Sequence, residues 1–334
     1  MSPFLRFQDN TEGRRMLICF ADKDLDALEN AEYVLGDGKF KYNPNEFHNT
    51  GQLYTLHAVV NGEGQPVVYA LTQALHVRAY EVLLTCLKDA MMRRFGSLGA
   101  LATTTTWIFD YEAAVIMATK SVLGTSSSTP KIKGCAFHFA KAINTKRGEL
   151  GLRGLCNSDP SVNEWLRMVR HLPFIPDSFR VEFAVDLITA RTPLAPLQAA
   201  RLQQFANYVE GFWLSNQVVK DDWGQFEDQG PRTTNMVEGW HNGLHSRLSA
   251  HHPALAEFIQ FLQVAQVASQ NRIQGLLRDP LAVAKAPSRQ VRGRNEKLRE
   301  EMALFSSYIS ANALTFQDIN YIDRVATFGL LVAV

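Results

Sequence analysis

Three acidic residues stand at the edges of recognisable elements: Asp37 in YVLGDGKFKYNP, Asp110 in TTTTWIFDYEAA and Glu238 in DQGPRTTNMVEGWHN. Two aspartates and a distant glutamate are a donor set that can hold a pair of divalent cations against a phosphodiester. Mg²⁺ prefers hard oxygen ligands and keeps open positions for phosphate oxygens. Two such ions about 3.5–4 Å apart would activate a water or a 3′-hydroxyl and stabilise the leaving oxygen. Each acid alone also has a plainer reading. Asp37 precedes Gly38, and Asp-Gly is a common turn pair; Asp110 follows an apolar run and could cap the next helix; Glu238 in a polar helix would ordinarily be solvated. It is the combination that points to metal-dependent chemistry on a nucleic-acid backbone.

The elements that must position these acids follow from residue spacing. Residues 15–20 (RMLICF) predict a short strand and 22–31 a helical turn or two. Residues 32–42, 52–60 and 66–71 are β-rich and separated by turn residues at Asn43-Pro44 and Asn61-Gly62, too close for crossover helices, so they predict an antiparallel meander. Residues 77–95 place Tyr80, Leu83, Leu84, Leu87 and Met91 at helical spacing. A strand over 103–109, a helix over 112–123 and a strand over 131–139 complete the order βββαβαβ, that of a ribonuclease-H-like sheet. In such a sheet the first of these strands lies beside the fourth. Asp37 and Asp110 could then meet although 73 positions separate them.

Beyond residue 140 strand signals nearly vanish, and Pro-containing breaks (DPSVNEW, HLPFIPDSF, RTPLAPLQ) divide a helix-rich stretch. The expected organisation is α/β: a ribonuclease-H-like mixed sheet flanked by helices, with an all-helical insertion before the last catalytic helix. The boundaries are residues 1–140 for the first part of the core, 141–231 for the insertion, 232–280 for the last part and 281–334 for a helical tail. Thr233, just after Pro231, is placed to cap the helix bearing Glu238, and residues 253–277 predict another amphipathic helix.

Composition narrows the class only loosely. With 46% hydrophobic and 20% charged residues over 334 positions, the chain reads as an ordinary globular protein with room for a large core. A net charge of +1 gives no global attraction to nucleic acid, so any basic footprint must be local. The polar start MSPFLRFQDNTEGRR is no secretory signal, no apolar run approaches a membrane span, and four scattered cysteines read as reduced thiols inside a cell.

The words around the acids are more specific than their spacing. DGKFKYNP, QLYTLHAV, PVVYALT, the aspartate of FDYEAA, GCAFHFAKAI and TTNMVEGWHN, in this order, resemble the Mutator-like element (MULE) transposases over residues 15 to about 277. The resemblance implies a DDE transposase, with Asp37, Asp110 and Glu238 as catalytic and metal-binding triad and Mg²⁺ or Mn²⁺, two ions, as cofactor. It implies cleavage and strand transfer on DNA, at transposon ends and target, in the nucleus, by a homo-oligomer without membrane association. Members usually carry an N-terminal zinc-type DNA-binding module; this chain starts almost at the catalytic sheet, so that module is expected to be separate or missing. The alternative is a truncated or domesticated relative that binds DNA or protein without catalysis, with a structure-specific nuclease as a third reading.

Cys135 and His138 match the family's C-x2-H signature, on a predicted strand. One reading joins them to His241 and His245, spaced i, i+4, in a zinc site; the other makes them packing and hydrogen-bonding support for the active site. Lys131, Lys133, Lys141, Lys146, Arg147 and Arg153 could neutralise DNA phosphates or form a solvated face. Trp240 and His241 are further candidate DNA contacts, and Trp213, Trp223 and Trp240 could stack on a base or pack in the core. Arg289, Arg292, Arg294, Lys297 and Arg299 form a second candidate patch, interspersed with glutamates.

Overall fold

The structure, a computed structural model, describes residues 4–40, 43–47, 51–126, 128–226, 228, 230–244, 247–248, 252–279 and 289–311. The fold is α/β, with a seven-stranded mixed sheet. Two compact units divide the chain: Met1–Lys133 with Thr233–Lys285, and Gly134–Arg232 with Ala286–Val334. Among the described residues no helix is long and apolar enough to cross a membrane. Cys19, Cys86, Cys135 and Cys156 form no disulfide.

The first unit contains the sheet. A hairpin of β1 (Leu5–Asp9) and β2 (Met16–Cys19) leads through α1 (Asp22–Glu29) into the meander β3 (Tyr33–Lys39), β4 (Gln52–Val60) and β5 (Glu63–Thr72). The β4–β5 turn is made by Asn61 (φ 47°) and Gly62 (φ 82°), the paired left-handed conformation that matches strand twist in a tight hairpin. The helix α2 (Val77–Phe95) buries Tyr80, Leu83, Leu84, Leu87 and Met91, as their spacing predicts, and ends at Gly96 (φ 73°), whose N–H reaches the Met92 carbonyl. The chain then enters β6 (Thr106–Phe109), parallel to β3, followed by α3 (Ala113–Leu123) and β7 (Lys131–Gly134). Strand order is β1-β2-β5-β4-β3-β6-β7, so β3 and β6 lie side by side inside the sheet.

Three local expectations change. β1 was not anticipated. The strand expected over 103–109 starts only at Thr106, because the amides of Thr103, Thr104 and Thr105 all turn back onto the Ala100 carbonyl. The strand expected over 131–139 stops at Gly134, and the helix α4 (Ala136–Glu149) begins two residues on. Ala136, Phe139, Ala140 and Ile143 repeat at helical spacing and are buried together.

In the second unit α4 is followed by α5 (Arg153–Ser158), α6 (Pro160–His171), α7 (Asp177–Thr189), α8 (Ala199–Tyr208) and a π-helical turn at Val209–Leu214. Asp159 caps α6, its carboxylate accepting the Ser161 amide with Pro160 at the first helical position. The core is aromatic: the Phe139 ring stacks on Trp223 at 5.3 Å and tilts against Trp213 at 4.5 Å. The ends of the segment are stitched together, since the Ala136 amide bonds the Arg232 carbonyl and Gln225 Nε2 the Gly134 carbonyl. A last helix, α11 (Arg289–Ala311), carries the basic residues expected as a second patch. In the first unit α9 (Asn235–Leu244) and α10 (Leu255–Arg278) close the chain around the sheet.

Candidate active site

Asp37 lies within β3, not in a turn. Its two flanking glycines serve close packing: a Cβ on Gly36 would stand 2.6 Å from Tyr54 Oη and 2.7 Å from the Phe109 ring, and one on Gly38 would collide with Gln52 Oε1. Strand alternation therefore gives β3 one lean face at Gly36 and Gly38, filled by Gln52, Tyr54 and Phe109, and an opposite face bearing Leu35, Asp37 and Lys39. Asp37 pairs across the sheet with Thr55 of β4. On its other side β3 and β6 run in parallel register from Tyr33↔Thr106 to Gly36↔Phe109. The same offset carried one residue further sets Asp110 opposite Asp37.

Asp110 follows the last residue of β6. Its Oδ1 is buried without a hydrogen-bond partner, while the backbone amide of Glu112 donates to the carboxylate. Burial pushes its pKa up to about 7, and the neighbouring charges of Asp37, Glu112 and Glu238 push in the same direction. Four carboxylates thus share one electrostatic neighbourhood. Glu112, at the N-cap of α3, was not singled out from sequence because an acid at a helix start reads as an ordinary cap. Its carboxyl is also raised, by burial and by Asp37, against a hydrogen bond from Tyr80, whose hydroxyl in turn accepts from Gln52 Nε2 at 2.7 Å.

Glu238 and His241 arrive on α9, three residues apart and so on one side of the helix. The helix starts where the amides of Val237 and Glu238 donate to the Thr234 carbonyl, one residue beyond the cap expected at Thr233. Met236 seats α9 on the sheet: any Cβ on Gly64 of β5 would touch its side chain, with Leu35 of β3 alongside. His241 is fully buried, with Nδ1 3.5 Å from Asp37 Oδ2 and Nε2 3.0 Å from Thr55 Oγ1. It therefore has no surface for DNA, and both ring nitrogens face groups of the sheet rather than a zinc set; His245 lies outside the described residues. Trp240 is half-buried against Tyr69 (5.8 Å) and His57 (5.6 Å), held by the sheet rather than presented for stacking. Lys39, two residues beyond Asp37 on the same face, reaches Asn242 of α9 at 3.5 Å and is a cation at this edge that sequence reading passed over.

Other expected site residues belong to the second unit or its border. Cys135 and His138 lie at the N-cap and first turn of α4, not on a strand, and Cys135 is fully buried. Trp213 and Trp223 are fully buried in the aromatic core, which settles them as packing residues. Lys131 and Lys141 are exposed and Lys133 is half-buried. Lys146 pairs with Glu149 at 3.1 Å and lies over the Tyr208 ring, and Arg147 bonds Cys156. These two are engaged within the fold.

The donor chemistry of the first unit fits a divalent cation. Crowded carboxylates with a raised pKa and a buried, unbonded Asp110 oxygen are what a hard cation would relieve. Among the described residues no three His, Cys, Asp or Glu side chains are drawn together into a ready ligand shell. No family model matches the chain, and neither a curated protein nor a solved structure matches it.

Proposed function

We propose that the chain is the catalytic domain of a DDE-type DNA transposase of the Mutator-like kind, built on a ribonuclease-H-like sheet, with Asp37, Asp110 and Glu238 as the catalytic carboxylates. One observation carries the reading: Asp37 and Asp110 come level on adjacent parallel strands, and Glu238 on α9 bears on the same charge cluster. The order β5-β4-β3-β6-β7 supports the fold, since it sets the first meander strand between the second and the strand that ends at the second acid. The motifs that resemble MULE transposases contain all three acids.

Asp37, Asp110 and Glu238 would hold two Mg²⁺ or Mn²⁺ ions, which supply an activated water or 3′-hydroxyl and stabilise the leaving oxygen. The chain's own part is positioning. β3 and β6 fix two carboxylates through backbone register rather than through flexible loops. Asp110, raised to about 7, would have to be deprotonated to hold a cation, so cation binding would be stronger at higher pH. Glu112, held by Tyr80, adds a further carboxylate beside this pair. Lys39 is placed to meet a phosphate of the bound strand. DNA ends and target DNA would be the substrates, a homo-oligomer the assembly that pairs two ends, and the nucleus the place of action.

The test is strand cleavage and strand transfer on pre-nicked DNA ends with Mg²⁺ or Mn²⁺, comparing the native chain with Asp110→Asn and Glu238→Gln. Cation-dependent products lost in both variants are expected. Absence of products from the native chain would overturn the enzyme reading in favour of a non-catalytic scaffold.

A further inference from the structure

We infer that His241 is a positioning residue for Asp37, the last link of a buried donor chain running His57, Thr55, His241, Asp37. The inference rests on the proposed carboxylate site and adds what sets the orientation of its first member. Asp37 and Thr55 are cross-strand partners in β3 and β4, and His57 lies two residues along β4. Thr55 Oγ1 stands 3.1 Å from His57 Nε2 and 3.0 Å from His241 Nε2, and His241 Nδ1 stands 3.5 Å from Asp37 Oδ2. Thr55, His57 and His241 are all fully buried, so no water competes for these contacts.

The Asp37 carboxylate accepts, so a hydrogen on the nitrogen facing it, Nδ1 of His241, makes the contact favourable. Thr55 Oγ1 lies between His241 Nε2 and His57 Nε2 and ties the two rings together. His57 is neutral, because burial, followed by His241, depresses its pKa well below the usual histidine value. The effect of the chain is geometric.

The consequence concerns Asp37. A donor at Oδ2 leaves Oδ1 turned away from His241 as the oxygen for a cation, and the ring orientation is fixed by groups behind it, as outer-shell partners fix ligands in metal sites generally. At 3.5 Å His241 Nδ1 and Asp37 Oδ2 are in electrostatic contact, just beyond hydrogen-bond length, and a cation held by Asp37 would have its carboxylate oriented by this ring. Because His241 and Glu238 share one side of α9, the same helix delivers one acid and orients another. Glu238 and Asp37 are thereby set by one rigid body.

The experiment is a titration of the full chain with Mn²⁺, reading free Mn²⁺ by electron paramagnetic resonance, with thermal melting of each variant without cation as a folding control. His241→Phe keeps the ring volume and removes both nitrogens; His241→Asn returns an N–H near the place of Nδ1; Thr55→Val cuts the chain behind an intact histidine. The expected result is a Kd raised about 10–100-fold in His241→Phe, largely recovered in His241→Asn, and raised less in Thr55→Val. Native affinity in His241→Phe, or equal weakening in the Phe and Asn variants, would overturn the inference and leave His241 a packing residue. If His241→Phe does not fold, Thr55→Val decides, native affinity there counting against the chain. Asp110→Asn separates the two levels: if it binds Mn²⁺ as the native chain does, or the native chain binds none, the carboxylate site itself falls. If Asp110→Asn loses binding while His241→Phe keeps it, only the positioning role falls.

Discussion

Two regions of this molecule bury charge on opposite principles. In the second unit Arg180 is almost fully covered, yet its guanidinium pairs with Asp177 and lies 4.7 Å above the Trp223 ring. Around Arg180 there is no room for more: a Cβ on Gly224 would fall directly on Arg180 Nη1 and Asp177 Oδ1. A buried cation there is compensated by an anion and a π face, as a structural charge must be. In the first unit Asp37, Asp110, Glu112 and Glu238 crowd together with like charge, and the raised Asp110 carboxyl registers the cost. Uncompensated charge persists where something other than stability maintains it, and the proposed cation site would be such a reason.

The largest expected effect lies on the compensated side. Asp177→Ala strips the partner from a buried guanidinium and is expected to lower stability by about 2–3 kcal/mol in urea unfolding, toward the lower end for a broken buried pair because Asp177 itself is mostly exposed. An unchanged midpoint would mean that the aromatic face alone carries Arg180, and the contrast with the carboxylates would weaken.

A second expectation contrasts one buried acid with one buried base through pH. Asp24 of α1 is fully buried, accepting the Ala21 amide at 2.6 Å and Gln270 Nε2 at 2.9 Å, and burial pushes it up to about 6. The folded state therefore holds this proton more tightly than the unfolded chain, and stability falls as pH rises from about 3.8 to about 6. His171 of α6 is pushed down by burial to about 4, so its contribution is full above about 6.5 and is lost as pH falls toward 4. Each slope amounts to roughly 3 kcal/mol across its window. Asp24→Asn is expected to remove the first and His171→Gln the second, read as unfolding free energy at pH 4, 5, 6 and 7. Equal slopes in variant and native chain would count against burial as the cause.

Much of the scaffold is legible in the sequence because it follows from local periodicity. The helix over residues 77–95 appears with those bounds, since its apolar stripe and Gly96 stop are both local signals. The meander follows from close-set turn residues, one of them the Asn61-Gly62 pair. The separation of 73 residues between Asp37 and Asp110 equals the register offset of β3 and β6, a long-range fact that the spacing anticipates only once the strands are assumed to pair. What fails is where two local signals compete. KIKGCAFHF reads as one strand although the Ala136, Phe139, Ala140 pattern is already helical. His241 reads as an exposed partner for DNA because a helix in isolation does not reveal which side meets Thr55. Glu112 is hidden for the same reason, its significance lying in neighbours from β3 and α2.

The central claim, that the carboxylate cluster is maintained for a cation at the expense of stability, is tested most directly by unfolding free energies of the native chain and Asp110→Asn with and without Mn²⁺. The expected result is that Asp110→Asn is the more stable of the two without cation, by about 1–2 kcal/mol from relieved burial and repulsion, and gains nothing from Mn²⁺, whereas the native chain gains stability as Mn²⁺ rises. A native chain indifferent to Mn²⁺, or an Asp110→Asn chain less stable than native without it, would contradict the claim.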